Sequence, residues 1–113
     1  MKLTDKEKEV MVVLWDSEHP MTANELIEIS NNRTWKENSI YAILNTLIKK
    51  GAAILTYHKP TMTNTARAYA PAITSEEYMV KYLRSLKDTG IRIDIPSLIE
   101  QLTNEQLSET EEG

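Results

Sequence analysis

Apolar residues recur at helical spacing along much of this chain, and the clearest case is residues 40–48. Ile40, Ile43, Leu44, Leu47 and Ile48 follow the i, i+3, i+4, i+7, i+8 rule of a single helix face. The opposite face carries Tyr41, Ala42, Asn45, Thr46, Lys49 and Lys50. Val10, Met11, Leu14 and Trp15 line the inner face of an earlier helix, which His19-Pro20 ends because proline disfavours helix at the residue before it. Tyr78, Tyr82, Leu83 and Leu86 form a later stripe, with Met79 and Val80 beside it. Leu98, Ile99 and Leu102 form a last one, with Pro96 suited to the first turn of its helix.

Local signals set the boundaries of these elements. Thr4 with Glu7, Thr22 with Glu25, and Thr74 with Glu77 have the spacing of capping boxes. Met21 and Leu26 stand where a hydrophobic staple would flank the second box, which opens a short helix ending near Asn31-Asn32. Thr34 and Glu37 repeat the box spacing before the third helix, about residues 36–50. Gly51 suits the left-handed position that closes it.

After Gly51 the period changes. Residues 53–58 and 66–70 read as two strands joined by the polar, turn-rich segment Lys59 to Thr65, a loop long enough to be mobile in the free protein. Two helices joined by a tight turn and followed by a hairpin are the order of a winged helix-turn-helix. The fold expected is mainly α with a small β-hairpin wing, and C-terminal helices follow. Residues 1–71 form the winged-helix domain, and residues 72–113 form a helical region with an acidic tail.

Charge changes the picture. The net charge of −4 argues against nucleic acid until its distribution is considered. Residues 1–32 hold three lysines against seven acids, and residues 70–113 hold four basic residues against nine acids. Between them, Arg33, Lys36, Lys49, Lys50, Lys59 and Arg67 face only Glu37. A positive block on an acidic body holds a polyanion locally and discourages sticking elsewhere. It coincides with the third helix, whose amide, hydroxyl and cationic groups are those that read base edges and grip phosphates. The competing reading is a winged-helix protein–protein interaction module, for which no basic helix is needed.

Other chemistries are poorly provided for. With no cysteine, disulfides, zinc–thiolate sites and thiol catalysis are excluded. His19 and His58 are separated by two predicted helices, with no nucleophile motif, glycine-rich loop or carboxylate pair beside them. They read as a helix-end and a wing residue, so neither an enzyme nor a cofactor or metal site is expected. Trp15 and Trp35 read as packing residues. No apolar run approaches the roughly 20 residues of a membrane span, and residues 1–10 lack the apolar stretch of a signal peptide, so a cytoplasmic protein is expected.

The C-terminal helices raise a packing question. Two short amphipathic helices have little of their own chain to cover them, and leaving Tyr78, Tyr82, Leu83, Leu86, Leu98, Ile99 and Leu102 in water would make an interface-like patch. Self-association about a twofold axis covers one such face with another. Folding back on the first helix is the alternative.

The segments LTDKEKEVMVVLW at 3–15, MTANELIE at 21–28, SIYAILNTLIKKG at 39–51 and RAYAPAIT at 67–74 carry a family likeness. Over roughly residues 3–107 the chain resembles the penicillinase and methicillin-resistance repressors and their copper-responsive relatives. The resemblance implies a homodimeric transcriptional repressor on a palindromic double-stranded DNA operator. It implies that Asn38, Ser39, Tyr41, Ala42, Asn45 and Thr46 enter the major groove, that Lys49 and Lys50 lie near phosphate, and that Lys59 and Arg67 reach the backbone from the wing. Many relatives have Thr in place of Ala42 and Arg in place of Thr46, so the operator does not carry over. Without cysteine, the copper-sensing branch is excluded. The resemblance also implies a regulatory protease or an inducer as a partner, although residues 90–107 mark no clear cleavage site.

Overall fold

The computed structural model describes residues 1–60 and 65–112; the side chains of residues 57–60, 65 and 105–112 are not among those described. Helix α1 spans Asp5–Asp16, strand β1 Met21–Thr22, α2 Ala23–Ile29, α3 Ile40–Lys50, β2 Ala53–Pro60, β3 Thr65–Pro71, α4 Ser75–Ser85 and α5 Ile95–Glu112. Short 3-10 turns cover Glu37–Ser39 and Leu86–Thr89. The mainly helical fold with a small wing is as the sequence predicts. The hairpin loop at residues 61–64, expected to be mobile, lies outside the described residues.

Each capping box forms both of its hydrogen bonds. The Glu7 carboxylate accepts from the Thr4 N–H at 2.8 Å while the Thr4 hydroxyl accepts from the Glu7 N–H at 3.2 Å. Thr22 and Glu25 do the same at 2.9 and 3.2 Å, and Thr74 and Glu77 at 3.1 and 3.0 Å. Gly51 adopts φ +82°, a left-handed conformation that lets the chain leave α3 directly for β2. Thr34 does not cap with Glu37. Its N–H donates to the Glu9 carboxylate at 2.9 Å and its hydroxyl to the same carboxylate, so the start of the third helix is tied back to α1. A 3-10 turn replaces the expected first helical turn, and α3 proper begins at Ile40.

The sheet holds one strand more than the sequence predicts. Its antiparallel order is β1-β3-β2, with Met21 opposite Tyr69 and Thr22 opposite Ala68. Thr22 therefore serves both as a strand residue and as the cap of α2. Between β2 and β3 the register shifts at Leu55/Tyr57, leaving Thr56 as an extra residue whose hydroxyl donates to the Ala68 carbonyl at 3.2 Å.

Two compact units divide between Tyr82 and Leu83. The first, Met1–Tyr82, holds the core: Val10, Met11 and Leu14 from α1, Leu26 from α2, Ile40, Leu44 and Leu47 from α3, and Tyr69 from β3. Each such buried apolar side chain contributes about 1.5–3 kcal/mol by leaving water. Trp15 donates its indole N–H to the Ile73 carbonyl at 2.9 Å and packs against Tyr78, with ring centroids 5.9 Å apart. Those contacts fasten the start of α4 to the winged core, which carries this unit beyond the Pro71 boundary read from sequence.

The same contacts correct the assignment of Tyr78 to an intermolecular face. Only 7% exposed, it is a core residue. Its neighbour on the stripe, Tyr82, is 38% exposed, at a centroid distance of 6.4 Å from Tyr78.

In the second unit, Leu83–Gly113, Gly90 closes the Leu86–Thr89 turn with φ +83°. Residues 91–94 have no regular structure. Asp94 then accepts from the Ser97 N–H at 3.4 Å at the start of α5. Leu83, Leu86 and Leu98 are half-buried. Ile95, Ile99 and Leu102 are exposed, and their i, i+4, i+7 spacing puts them on one face of α5.

Candidate nucleic-acid interface

Helix α3 divides its residues between core and solvent. Ile40, Ile43, Leu44 and Leu47 are buried, while Tyr41, Ala42, Asn45 and Lys49 are exposed. Ile48, grouped by periodicity with the buried stripe, lies at its margin and is 37% exposed. Lys36 and Asn38 are exposed around the 3-10 turn that leads into the helix, and Ser39 is half-buried beside them. Arg67 projects from β3 and is exposed. The side chains of Lys59 and His58 are outside the described residues, although the backbone pairs Lys59 with Ala66 and His58 with Arg67.

Two of the expected contact residues already have bonds within the chain. The Thr46 hydroxyl donates to the Ala42 carbonyl one turn earlier at 2.9 Å, so its proton is unavailable to a base. Lys50 is committed more firmly. Its ammonium lies 2.5 Å from the Glu7 carboxylate and donates to the Lys2 carbonyl at 2.9 Å. Glu7 is a buried carboxylate at the third position of α1 and needs a counter-charge, which the last turn of α3 provides. Burial pushes the Glu7 carboxyl up, but the Lys50 and Thr4 hydrogen bonds prevail and hold it below its ordinary range. Lys50 thus has a structural partner that competes with the phosphate contact expected of it.

The basic block is consequently narrower than its sequence. Arg33 donates from Nη1 to the Ile27 and Ser30 carbonyls, each at 3.1 Å, and stacks over Trp35 at 4.9 Å. Lys36, Lys49 and Arg67 remain as exposed cations without an intrachain ion pair among the described residues. They lie at the two ends of the recognition segment and on the wing.

One candidate was missed from sequence. Asn24, exposed on the first turn of α2, lines an open cleft of about 270 Å³ with Thr22, Ala23, Tyr41, Ala66 and Arg67. The cleft brings α2, α3 and β3 together at one place, with an amide, a phenol and a guanidinium on its walls. Its sequence signal was the T-A-N-E capping box itself, which leaves Asn24 pointing outward while Thr22 and Glu25 bond each other.

The arrangement is a polar helix face flanked by cations, and no helix among the described residues is long and apolar enough to cross a membrane. Comparison with known proteins gives it a family. A family model described as penicillinase repressor matches residues 3–113. The penicillinase repressor of Bacillus licheniformis is 32% identical over 108 residues, spanning 95% of this chain and 80% of that one. Among solved structures, the chain is similar to the solution structure of the monomeric form of Bacillus licheniformis BlaI in complex with the blaP half-operator. That likeness has 34% identity and a TM-score of 0.49, and covers 69% of this chain and 89% of that one. With a family model matching residues 3–113 and a relative 32% identical over 95% of the chain, the chain belongs to the penicillinase repressor family, a family of transcriptional repressors and not of enzymes.

Proposed function

We infer that this chain is a DNA-binding transcriptional repressor that lays α3 in the major groove of an operator. The observation carrying the reading is the divided surface of α3 in a chain of this family: a fully buried stripe fixes the helix, and Tyr41, Ala42 and Asn45 are left facing out. Asn45 is the main base reader, since an amide pairs with adenine through two hydrogen bonds. Lys36, Lys49 and Arg67 grip phosphate, Lys59 assists from the wing, and Asn24 joins them from α2. Asn38 and Ser39 approach the groove at the entry of the helix, with Thr46 as an acceptor only.

The repressor acts as a homodimer on a palindrome. One helix-turn-helix makes few base contacts, and two related by symmetry read half-sites about 34–36 Å apart. The apolar line Ile95, Ile99 and Leu102 on α5 supports a twofold contact, because an exposed stripe of this kind is covered most simply by its own copy. Leu83, Leu86, Leu98 and Tyr82 are the other apolar side chains we assign to that contact. We assign release of the operator to a regulatory protease or an inducer; residues 91–94 lack regular structure, the backbone state a protease needs, although their sequence marks no clear cleavage site.

Selection of genomic fragments by the purified protein tests the reading. A recovered palindrome bound more weakly as salt rises supports it. Fragments recovered without a shared sequence, and with no dependence on salt, would return the chain to the class of protein-binding winged helices.

A further inference from the structure

Among the described residues, the buried side-chain polar atoms without a hydrogen-bond partner are Ser30 Oγ, Arg33 Nε and Trp35 Nε1. All three belong to residues lining one open pocket of about 250 Å³, whose other walls are Glu9, Val12, Val13 and Asn32. The pocket lies between α1 and the linker that joins α2 to the Glu37–Ser39 turn, and none of its residues belongs to the DNA interface proposed above. Buried polar atoms in native proteins are nearly always paired, so three unpaired atoms at one pocket indicate a missing partner.

The atoms define its chemistry. Arginine Nε–H and the indole N–H are donors only, and a serine hydroxyl can be either. What they lack is an acceptor oxygen. Val12, Val13 and the Trp35 indole supply apolar walls. Arg33 is fixed by the Ile27 and Ser30 carbonyls and by stacking on Trp35, so its Nε–H is held in place in advance. One cation, Arg33, and one carboxylate, Glu9, stand on the lining, so its formal charge is zero, which favours an uncharged ligand over an anion. We propose that this pocket binds a small, largely apolar, uncharged molecule through a carbonyl oxygen that accepts from Trp35 and Arg33.

The three atoms are sealed from water, so a carbonyl reaches them only as the linker shifts outward. The hydrogen bonds from Thr34 to Glu9 at the rim are what must yield. Because Trp35 and Lys36 lead directly into the turn before α3, occupancy of the pocket bears on how the recognition helix is held. The site is therefore suited to an effector, and it can be tested without DNA.

The test is a titration of the nitrogen-15-labelled full chain with phenylacetamide to about 10 mM, within reach of a millimolar complex. The two indole N–H resonances report it, assigned with Trp35→Phe. The Trp35 resonance should move downfield and saturate, while that of Trp15, already donating to Ile73, stays in place. Phenethylamine, of similar size but without a carbonyl, should leave Trp35 unmoved. Arg33→Lys should weaken the response about tenfold, the scale of one lost hydrogen bond. Val12→Trp, placed at an exposed position of the wall, should abolish it while the amide spectrum stays folded. No movement of Trp35 with either phenylacetamide or cyclohexanone overturns the inference. So does an equal response to phenethylamine, or an unchanged response in folded Val12→Trp.

Discussion

Lys50 and Glu7, 43 residues apart in sequence, meet at 2.5 Å, so the last turn of the recognition helix is bonded to the first turn of α1. Glu7 is simultaneously half of the α1 capping box, so one buried carboxylate serves the start of one helix and the end of another. Removing Lys50 would leave that carboxylate its Thr4 hydrogen bond but no counter-charge. Lys50→Ala should therefore destabilise the fold by about 1.5–3 kcal/mol, the scale of one lost hydrogen bond to a charged group. The salt dependence of DNA binding should stay as it was. Denaturant unfolding together with a salt titration of binding checks both. A variant of native stability with a flatter salt slope would put Lys50 back at the phosphates.

Acid should act through the same carboxylate. Glu7 has a folded pKa below its ordinary value of 4.5, so the stability it contributes is present above that value. It is lost as pH falls from there through the folded pKa. Glu9 titrates in the same direction, held low by the Thr34 hydroxyl and N–H. The melting temperature of the wild type should drop on acidification below about pH 4.5, and Glu7→Gln should show a smaller drop from a lower starting value. Thermal unfolding by circular dichroism between neutral and acid pH measures the difference.

Phosphate grip and base reading should separate by residue. Lys49→Ala and Arg67→Ala should each weaken all DNA sequences alike and lower the slope of log affinity against log salt by about 0.9 per phosphate contact in each protomer. Gel shifts at several salt concentrations provide that slope.

Asn45→Ala should instead cost about 1–3 kcal/mol against the selected operator and spare random DNA. Competition binding gives the ratio. An intact ratio would mean that the exposed face of α3 is docked at another angle.

Charge on the α5 stripe should break the dimer without unfolding the winged unit. Ile99→Asp with Leu102→Asp would place two carboxylates on the face proposed to be desolvated against its copy. Sedimentation should show a monomer with near-native helix content. Tyr78→Ala should behave oppositely, costing about 3–5 kcal/mol of stability as a core aromatic while leaving the folded fraction dimeric. A dimer that survives the α5 double substitution would move the interface elsewhere.

What was legible in the sequence was what neighbouring residues decide among themselves. The boxes at Thr4, Thr22 and Thr74 need only a partner three residues away, and each formed as spaced. Gly51 needed only its own freedom at positive φ. Strand β1 was illegible because two residues have no period, and Met21-Thr22 had already been accounted for as staple and cap. Thr34 had box spacing to Glu37, yet Glu9, 25 residues distant, took its hydrogen bonds. Lys50 and Tyr78 were placed on the correct helices, but their partners Glu7 and Trp15 are set by the folding of α1 against distant segments. In the candidate interface, sequence identified the exposed face of α3 and missed Asn24, whose relation to Tyr41 and Arg67 exists only after α2, α3 and β3 come together.

The separation of α3 into a buried and an exposed face has a consequence for descent. Ile40, Leu44 and Leu47 answer to the interior, where each lost methylene is felt. Ala42, Asn45 and Lys49 have no such obligation, and exposed substitutions of that kind shift stability by less than about 0.5 kcal/mol. A lineage can therefore exchange the outward residues one at a time, drifting to a new target sequence through intermediates that all fold. The scaffold is inherited, and the address it reads is free to change.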